Sequence, residues 1–246
     1  MRITNWKEAL KNYNLAYEIK KKELYPNHRK IGRALNCIGN YYKVIEDYVQ
    51  AMKFYEDALQ CQNDPCAQAI IQLNICIIHP MNKNYDKHYC HATFELSKRI
   101  LLNGVHIRIQ SIKLLADLYN KQGKKQKAID FCYEELSLYE KEPSENEISM
   151  ANILMIIGEL YEDSNDQKIQ VLDKALSLLK KNMHIQYATT AKCCFMIAEY
   201  YHKQNISKKA FDHALRALEI RRKIYPDNHS ILIETQNLID AIKSLK

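Results

Sequence analysis

The chain has 246 residues, of which 47% are hydrophobic and 26% charged, and its formal net charge is +7 at pH 7. This balance is ordinary for a folded protein and excludes a disordered, highly charged chain. No apolar run approaches the roughly 18 residues of a membrane helix, and the N-terminus lacks the apolar core of a signal peptide. We therefore expect a cytoplasmic protein that has no membrane partner.

The scarcity of helix-breaking residues predicts long helices joined by short turns. The chain has only 5 glycines and 5 prolines. Its longer stretches are rich in Lys, Glu, Leu, Ala and Gln, which are strong helix formers. The composition therefore predicts an all-α protein.

A triplet with the helical spacing i, i+4, i+7 begins with Ala9, Tyr13 and Ala16 and recurs along the chain. Successive copies lie 37 to 42 residues apart, and a fixed period of about 20–50 residues predicts a solenoid of stacked repeats. The later copies are Ala51/Tyr55/Ala58, His88/Ala92/Glu95, Ala128/Cys132/Glu135, Lys168/Leu172/Ala175 and Ala210/Ala214/Ala217.

The segment 32–65 shows the repeat most clearly. Its first half places Leu35, Gly39 and Tyr42 on one helical stripe, and its second half places Ala51 and Tyr55 on another. A polar stretch separates the two halves, so the segment predicts a helix–turn–helix hairpin. Small residues are expected where the two helices approach closely.

This pattern resembles the tetratricopeptide repeat (TPR), whose units place Leu-Gly, Tyr, Ala, an aromatic residue and Ala at fixed offsets. Four segments match it, starting near residues 32, 109, 151 and 191. The resemblance implies a right-handed superhelix of antiparallel helix hairpins, which is a TPR-like α–α solenoid. Proteins with this fold generally recognise other proteins through the concave face, which the first helix of each hairpin lines.

The period of about 40 residues is similar to that of the kinesin-light-chain type of repeat. Two second helices run through a basic stretch to a proline and a histidine, as Tyr25-Pro-Asn-His28 and Tyr225-Pro-Asp-Asn-His229. The Leu-Asn pairs at 35–36 and 73–74 also resemble the first helices of that type. The coiled coil that joins kinesin light chain to its heavy chain is absent, so the resemblance does not imply attachment to kinesin.

We expect one array over 1–246, and the missing first helix of its opening half unit predicts that upstream repeats have been lost or lie outside the chain. The expected segments are a half unit at 1–27, units at about 28–65, 66–103, 104–145, 146–184 and 185–227, and a capping helix at 228–246. The unit at 66–103 departs most from the pattern, with Pro80 near the end of its first helix and His88 at a position for a small residue.

The 8 cysteines contain no C-x-x-C pair, and most occupy positions that a helical pattern gives to small apolar residues. Without a secretion signal, we interpret them as free buried thiols. A zinc site could be drawn from Cys76, Cys90 and three neighbouring histidines (His79, His88 and His91), but packing explains these positions better, and no metal is expected. A nucleophilic pair could also be drawn from Cys193 or Cys194 with His202 or His213. Packing explains these cysteines better.

No phosphate loop, nucleophile elbow or H-E-x-x-H motif is present in the sequence. We therefore expect no enzyme activity and no cofactor. Basic runs at 20–22, 124–125 and 221–223 could contact nucleic acid. We interpret them instead as the ends of helices, where cations complement the helix dipole.

The predicted functional surface is the concave face. Asparagine amides on this face could pair with the backbone of an extended peptide whatever its sequence. The groove is expected to be basic and amide-rich at its N-terminal end and more acidic towards its C-terminal end. Projecting the first helices gives, as predicted partner-binding residues, Arg33, Asn36, Asn40, Lys43, Asn74, Lys113, Asp117, Asn120, Asn152, Glu159, Lys192 and Glu199.

We therefore predict a non-catalytic, monomeric scaffold that binds a peptide or helix of a protein partner in this groove. One alternative is an RNA-binding helical repeat that uses the net positive charge. Another is a regulatory TPR array detached from an enzyme or a motor-adaptor protein.

Overall fold

The computed structural model describes residues 2–78, 87–98, 104–181 and 187–244. Within these ranges, no helix is both long and apolar enough to cross a membrane. The described residues form twelve α-helices: α1 (Arg2–Glu23), α2 (Arg29–Val44), α3 (Tyr48–Gln60), α4 (Pro65–Ile78), α5 (Lys87–Lys98), α6 (Gly104–Lys121), α7 (Lys125–Tyr139), α8 (Pro143–Leu160), α9 (Asp166–Lys181), α10 (Tyr187–Lys203), α11 (Ser207–Arg222) and α12 (Ser230–Ser244).

Consecutive helices pack as antiparallel hairpins. The pairs α2–α3, α4–α5, α8–α9 and α10–α11 pack closely, and α11 also packs on α12. The chain divides into two compact units, residues 1–115 and 116–246, which are described separately below.

The two histidines that follow the proline motifs cap the next helix. Nδ1 of His28 accepts a 3.1 Å hydrogen bond from the backbone N–H of Lys30 at the start of α2. Nδ1 of His229 accepts a 3.2 Å bond from the backbone N–H of Ile231 at the start of α12. Each imidazole thereby satisfies a donor that the first turn of a helix leaves unpaired. The repeated Asn-His signal is therefore a helix N-cap.

The core of the first unit forms around the predicted triplet of α3. Ala51, Tyr55 and Ala58 are fully buried and pack with apolar residues of α2 and α4. Gly39 of α2 makes room for the Tyr55 ring, because a Cβ atom at Gly39 would lie 2.6 Å from Cε1 of that ring. The close approach predicted for Gly39 is therefore made to Tyr55.

The core of the second unit uses the same positions. Ala210 and Ala214 of α11 are fully buried beside Ala198 of α10, and they pack with Leu232 and Ile239 of α12. The small side chains let α10 and α11 approach closely. The predicted triplet is thus core in both units.

The third predicted triplet, His88/Ala92/Glu95, was placed in the wrong register. Glu95 is exposed and Ala92 is half-buried, and the side chain of His88 lies outside the described residues. The buried residues among the described side chains of α5 are Cys90, Thr93, Phe94 and Ser97. Of these, Cys90, Phe94 and Ser97 have the same i, i+4, i+7 spacing, two positions further along the chain. The buried triplet differs from the predicted one because this degenerate repeat contains several triplets with the same helical spacing.

The prediction of free thiols is wrong for one pair of cysteines. Cys76 of α4 and Cys90 of α5 form a disulfide, with their Cα atoms 5.5 Å apart. Both are buried, and the bond joins two helices that pack against each other. Six cysteines are free, as predicted: Cys37, Cys61, Cys66, Cys132, Cys193 and Cys194.

Candidate peptide-binding surface

Two asparagines at equivalent places in α2 and α4 are joined by a hydrogen bond. Nδ2 of Asn74 donates to Oδ1 of Asn36 at 3.2 Å, and Nζ of Lys43 donates to Oδ1 of Asn74 at 2.9 Å. This chain of three side chains fixes the orientation of the Asn36 amide. Among the described residues, no acceptor pairs with Nδ2 of Asn36, so its two N–H groups can donate to a ligand.

A cavity of about 410 Å³ lies beside Asn36, and we name this region of the first unit the α2–α4 surface. Arg33, one turn before Asn36, lines the cavity, together with Ile70 and Ile71 of α4. Ile71 belongs to the core, whereas Ile70 is 41% exposed. The surface therefore combines an amide donor, a cation and an apolar wall.

Two other polar side chains that line this cavity form hydrogen bonds with the backbone. Asp64 caps α4, accepting backbone N–H bonds from Cys66 at 3.4 Å and Ala67 at 3.2 Å. Gln62 is buried, and its Nε2 donates to the carbonyl oxygen of Arg29 at 2.8 Å. These bonds set the shape of the cavity before any ligand arrives.

Asn40 and Lys43 are less available than the sequence analysis predicted. Oδ1 of Asn40 accepts a 2.8 Å hydrogen bond from the hydroxyl of Tyr55, so it is used within the hairpin. Lys43 is half-buried, and burial lowers the pKa of its ammonium. Both residues position their neighbours in the first unit.

In the second unit, the structure joins two of the predicted residues across neighbouring first helices. Nζ of Lys192 on α10 lies 2.7 Å from Oε1 of Glu159 on α8. Asn152 does not reach across, because its Nδ2 donates to the carbonyl oxygen of Ile148 in the same helix at 2.8 Å. Glu199 is half-buried, and burial raises the pKa of its carboxyl. Three further predicted residues lie on α6, which begins in the first unit: Lys113, of the first unit, and Asp117 are half-buried, and Asn120 is exposed.

The structure does not assemble the Cys/His zinc site that the sequence left as an alternative. Cys76 and Cys90 are joined to each other, and His79 lies outside the described residues. Within the described ranges, no group of three His, Cys, Asp or Glu residues is arranged to hold a metal ion.

The cysteines considered as nucleophiles are packing residues. Cys193 and Cys194 are fully buried. Burial, reinforced by the neighbouring Cys194, raises the pKa of Cys193 to about 12, and its Sγ lies 3.5 Å from the carbonyl oxygen of Leu172. A thiol in this state is protonated at neutral pH and is a poor nucleophile.

The basic runs differ from the prediction at two positions. Lys125 begins α7 instead of ending a helix, and its Nζ pairs with Oε1 of Glu162 at 2.8 Å. Arg221 ends α11 but is buried, with its guanidinium 4.4 Å from the centroid of the Phe195 ring. It also donates to the hydroxyl of Thr235 on α12. Neither cation is a free contact for a polyanion. The run 20–22 lies in the last turn of α1, as predicted.

The cavity wall formed by Ile70 was not predicted. A signal was present, because Ile70 and Ile71 are adjacent apolar residues, and one of two such neighbours in a half-buried helix has to face away from the core. The link between Asn36 and Asn74 agrees with their equivalent places in the repeated Leu-Asn pairs.

No protein-family model matches the chain, and no curated protein matches its sequence significantly. Solved structures do match. The chain is similar to BtubC (BKLC) from P. vanneervenii, with a TM-score of 0.65, 17% identity, and coverage of 91% of this chain and 94% of that one. It is also similar to aspartyl phosphate phosphatase F from Bacillus subtilis, with a TM-score of 0.65 and 19% identity over 93% of this chain and 62% of the phosphatase. The chain therefore spans less than two thirds of the phosphatase.

A third similar structure is the apo form of the quorum sensor NprR from B. thuringiensis. Its TM-score is 0.55, with 12% identity over 98% of this chain and 72% of that one. At these identities the likenesses show the fold. The chain is a TPR-like helical repeat protein, and the predicted all-α solenoid of hairpins is confirmed.

Proposed function

We propose that this protein is a non-catalytic, monomeric cytoplasmic scaffold that binds an extended peptide segment of a protein partner along its first helices. The observation that carries this proposal is the fixed Asn36 amide beside the 410 Å³ cavity of the α2–α4 surface. TPR-like folds generally serve as protein-binding scaffolds, and this fold-level analogy supports the same assignment.

The chemistry of the α2–α4 surface indicates the kind of peptide that it binds. Nδ2 of Asn36 would donate to a main-chain carbonyl oxygen, which makes recognition of the backbone independent of sequence. The exposed part of Ile70 would contact one apolar side chain in the cavity. Arg33 at the rim favours a carboxylate nearby. The proposed ligand is therefore an extended segment with an apolar side chain beside an acidic one.

In the second unit we assign the same role to the faces of α8 and α10. The pair formed by Lys192 and Glu159 lies there with the half-buried Glu199. Because its charges are mixed, this region would offer a bound segment contacts of both signs. The burial of Cys132, Cys193 and Cys194 argues against one class of enzyme, that with a cysteine nucleophile.

The test begins with a selection from a random peptide library on the full-length protein. A selected peptide is then measured by fluorescence anisotropy against the wild type, Arg33→Ala and Asn36→Ala. We expect each substitution to raise Kd by roughly five- to tenfold, the value of one lost polar contact. The exposed residues Arg222 and Asn14 provide matched controls, and Arg222→Ala and Asn14→Ala should leave Kd unchanged.

Two results would contradict the proposal. The first is equal affinity of the selected peptide for Asn36→Ala, Arg33→Ala and the wild type, with all three folded by circular dichroism. The second is a failure of every peptide to bind, together with salt-dependent binding of random-sequence RNA. That result would support the RNA-binding alternative.

A further inference from the structure

Helix α8 ends earlier in its repeat than α2, α6 and α10, which are also first helices of hairpins. Helices α2, α6 and α10 each continue beyond an equivalent tyrosine: Tyr42, Tyr119 and Tyr201. Helix α8 ends at Leu160, and the following Tyr161 has an extended backbone, with φ −71° and ψ 146°. The connection from α8 to α9, residues 161–165, is longer than the three-residue connections that follow α2, α6 and α10. Tyr161 nevertheless lies only seven positions before Lys168, whereas Tyr119 lies nine positions before Ala128. The missing helical turn leaves space between α7 and the segment that joins α8 to α9.

The equivalent tyrosines of α6 and α10 each interact with a lysine of their own hairpin. Nζ of Lys127 lies 4.7 Å from the centroid of the Tyr119 ring, and Nζ of Lys209 lies 4.9 Å from that of Tyr201. Each lysine directly precedes the small buried residue of its second helix. An ammonium group at this distance is attracted by the negative face of the aromatic ring. The fold therefore places a cation on this tyrosine in two hairpins.

Tyr161 has no such cation. In the shortened hairpin, Gln167 occupies the place of the lysine, directly before Lys168, the counterpart of the small residue. Across the described ranges of the chain, no lysine or arginine lies over the ring of Tyr161. Lys168 is held elsewhere, since it pairs with Asp163. Tyr161 keeps an aromatic surface that Tyr119 and Tyr201 use for a cation.

The space beside Tyr161 is a cleft of about 980 Å³ that lies within the second unit, and we name it the Tyr161 cleft. Ile129 and Tyr133 of α7 line one side. Burial is the largest effect that raises the pKa of Tyr161 to about 12, and the neighbouring hydroxyl of Tyr133 adds to it. The phenol is therefore neutral at physiological pH.

Carboxylates outnumber cations around this cleft. Asp130, Glu162 and Asp166 line it, and Lys125 is the one cation among its described lining residues. Lys125 is already paired with Glu162 at 2.8 Å. Asp130 is exposed on α7, and one of its oxygens accepts a 2.8 Å hydrogen bond from Gln126. The excess of negative charge favours a cationic ligand.

We propose that the Tyr161 cleft binds an arginine side chain from an extended basic segment of a protein partner. The guanidinium would lie on the face of Tyr161 and donate to the carboxylate of Asp130. Arginine suits this site better than lysine, because its planar group can stack on a ring and form two parallel hydrogen bonds to a carboxylate. The aliphatic part of the side chain would contact Ile129. This site is independent of the α2–α4 surface, which belongs to the first unit and whose charged lining residues are Arg33 and Asp64.

The test is a titration of the full-length protein with the peptide Gly-Ser-Arg-Gly-Ser-Arg-Gly-Ser, followed by isothermal calorimetry or NMR. The same peptide with citrulline in place of arginine has nearly the same shape and no charge. We expect the citrulline peptide to bind at least roughly tenfold more weakly, and Tyr161→Leu to weaken binding of the arginine peptide by a similar factor. Tyr161→Phe keeps the ring and should retain binding, whereas Asp130→Asn should lose most of it.

Tyr119→Leu is the matched control, because it removes the equivalent tyrosine whose ring already interacts with Lys127. Circular dichroism and the thermal midpoint establish that each variant is folded. Equal binding of the arginine and citrulline peptides would overturn the proposal, as would a Tyr119→Leu variant that loses binding as strongly as Tyr161→Leu. Free arginine amide binding as tightly as the peptide would identify a small cation as the ligand and would also overturn it.

Discussion

The hydroxyl of Tyr55 donates a 2.8 Å hydrogen bond to Oδ1 of Asn40 across the first complete hairpin. Tyr55 is fully buried, and burial raises the pKa of its phenol well above the ordinary value. The phenol therefore stays protonated and is a permanent donor. The predicted groove residue Asn40 is thus tied to the core, whereas its neighbour Asn36 keeps free donors.

Tyr55→Phe is expected to lower the free energy of unfolding by about 1 kcal/mol, because it removes this bond without opening a cavity. Peptide affinity should be almost unchanged, since Asn40 does not bind the ligand in this account. Urea denaturation and anisotropy measure the two quantities. A large loss of affinity with no loss of stability would show that Asn40 is part of the binding surface.

Gly39→Ala is expected to destabilise the first unit by about 1–3 kcal/mol, as overpacking does in a close-packed core. The added Cβ would lie 2.6 Å from Cε1 of Tyr55, and a ring at the centre of the core cannot move away freely. The measurement is a double-mutant cycle with Tyr55→Leu. The cost of Gly39→Ala should fall in the Tyr55→Leu background, and an equal cost in both backgrounds would contradict this explanation.

The side-chain carboxyls of Asp163 and Glu199 should change the free energy of unfolding with opposite dependence on pH. Hydrogen bonds from Lys168 and Lys203 lower the pKa of Asp163, so its contribution is present above its unfolded pKa and is lost as the pH falls through the folded pKa. Burial raises the pKa of Glu199. Its ionised form therefore opposes folding, and this penalty grows as the pH rises through the folded pKa.

Asp163→Asn should therefore destabilise the protein at pH 7 and have less effect at about pH 3, below the ordinary pKa of an aspartate side chain. Glu199→Gln should stabilise it at pH 7, and the gain should vanish at about pH 3. Urea denaturation of both variants and the wild type at the two pH values provides the comparison. Stabilisation by Glu199→Gln that is equal at both pH values would exclude ionisation as its cause.

Reduction should destabilise the first unit through the bond between Cys76 and Cys90. The two cysteines are 14 positions apart, and closing a loop of about 15 residues is worth about 3 kcal/mol in the chain-entropy account. The urea midpoint should fall when a reductant is added to the wild type, and Cys76→Ser/Cys90→Ser should show no such change. Titration of the denatured, unreduced protein should find six reactive thiols. Eight thiols would contradict the disulfide.

Much of this fold follows from sequence periodicity, because Ala51, Tyr55, Ala210 and Ala214 lie where helical spacing places them. The register of α5 was not predictable, because two overlapping triplets have the i, i+4, i+7 spacing. One ends at Glu95 and the other at Ser97. Periodicity identifies a buried face, whereas the choice between neighbouring faces depends on the helix that packs against it.

The site was predictable only in part, for a related reason. Equivalent places in two repeats predict that Asn36 and Asn74 are neighbours, and the structure joins them. Repetition does not reveal how an individual side chain uses its polar atoms. Asn40 forms a hydrogen bond with Tyr55, and Arg221 is buried against Phe195. In both cases the partner is set by the local packing of the helices.

Site-specific photo-crosslinking would locate the bound peptide at the α2–α4 surface. A benzophenone amino acid replaces Ile70, which is 41% exposed at the cavity, or in a control Leu15, which is 58% exposed on α1. The selected peptide should crosslink at position 70 and not at position 15, and an excess of unlabelled peptide should suppress the reaction. Crosslinking at position 15 with none at position 70, by a protein that still binds the peptide, would show that the peptide does not bind at the α2–α4 surface.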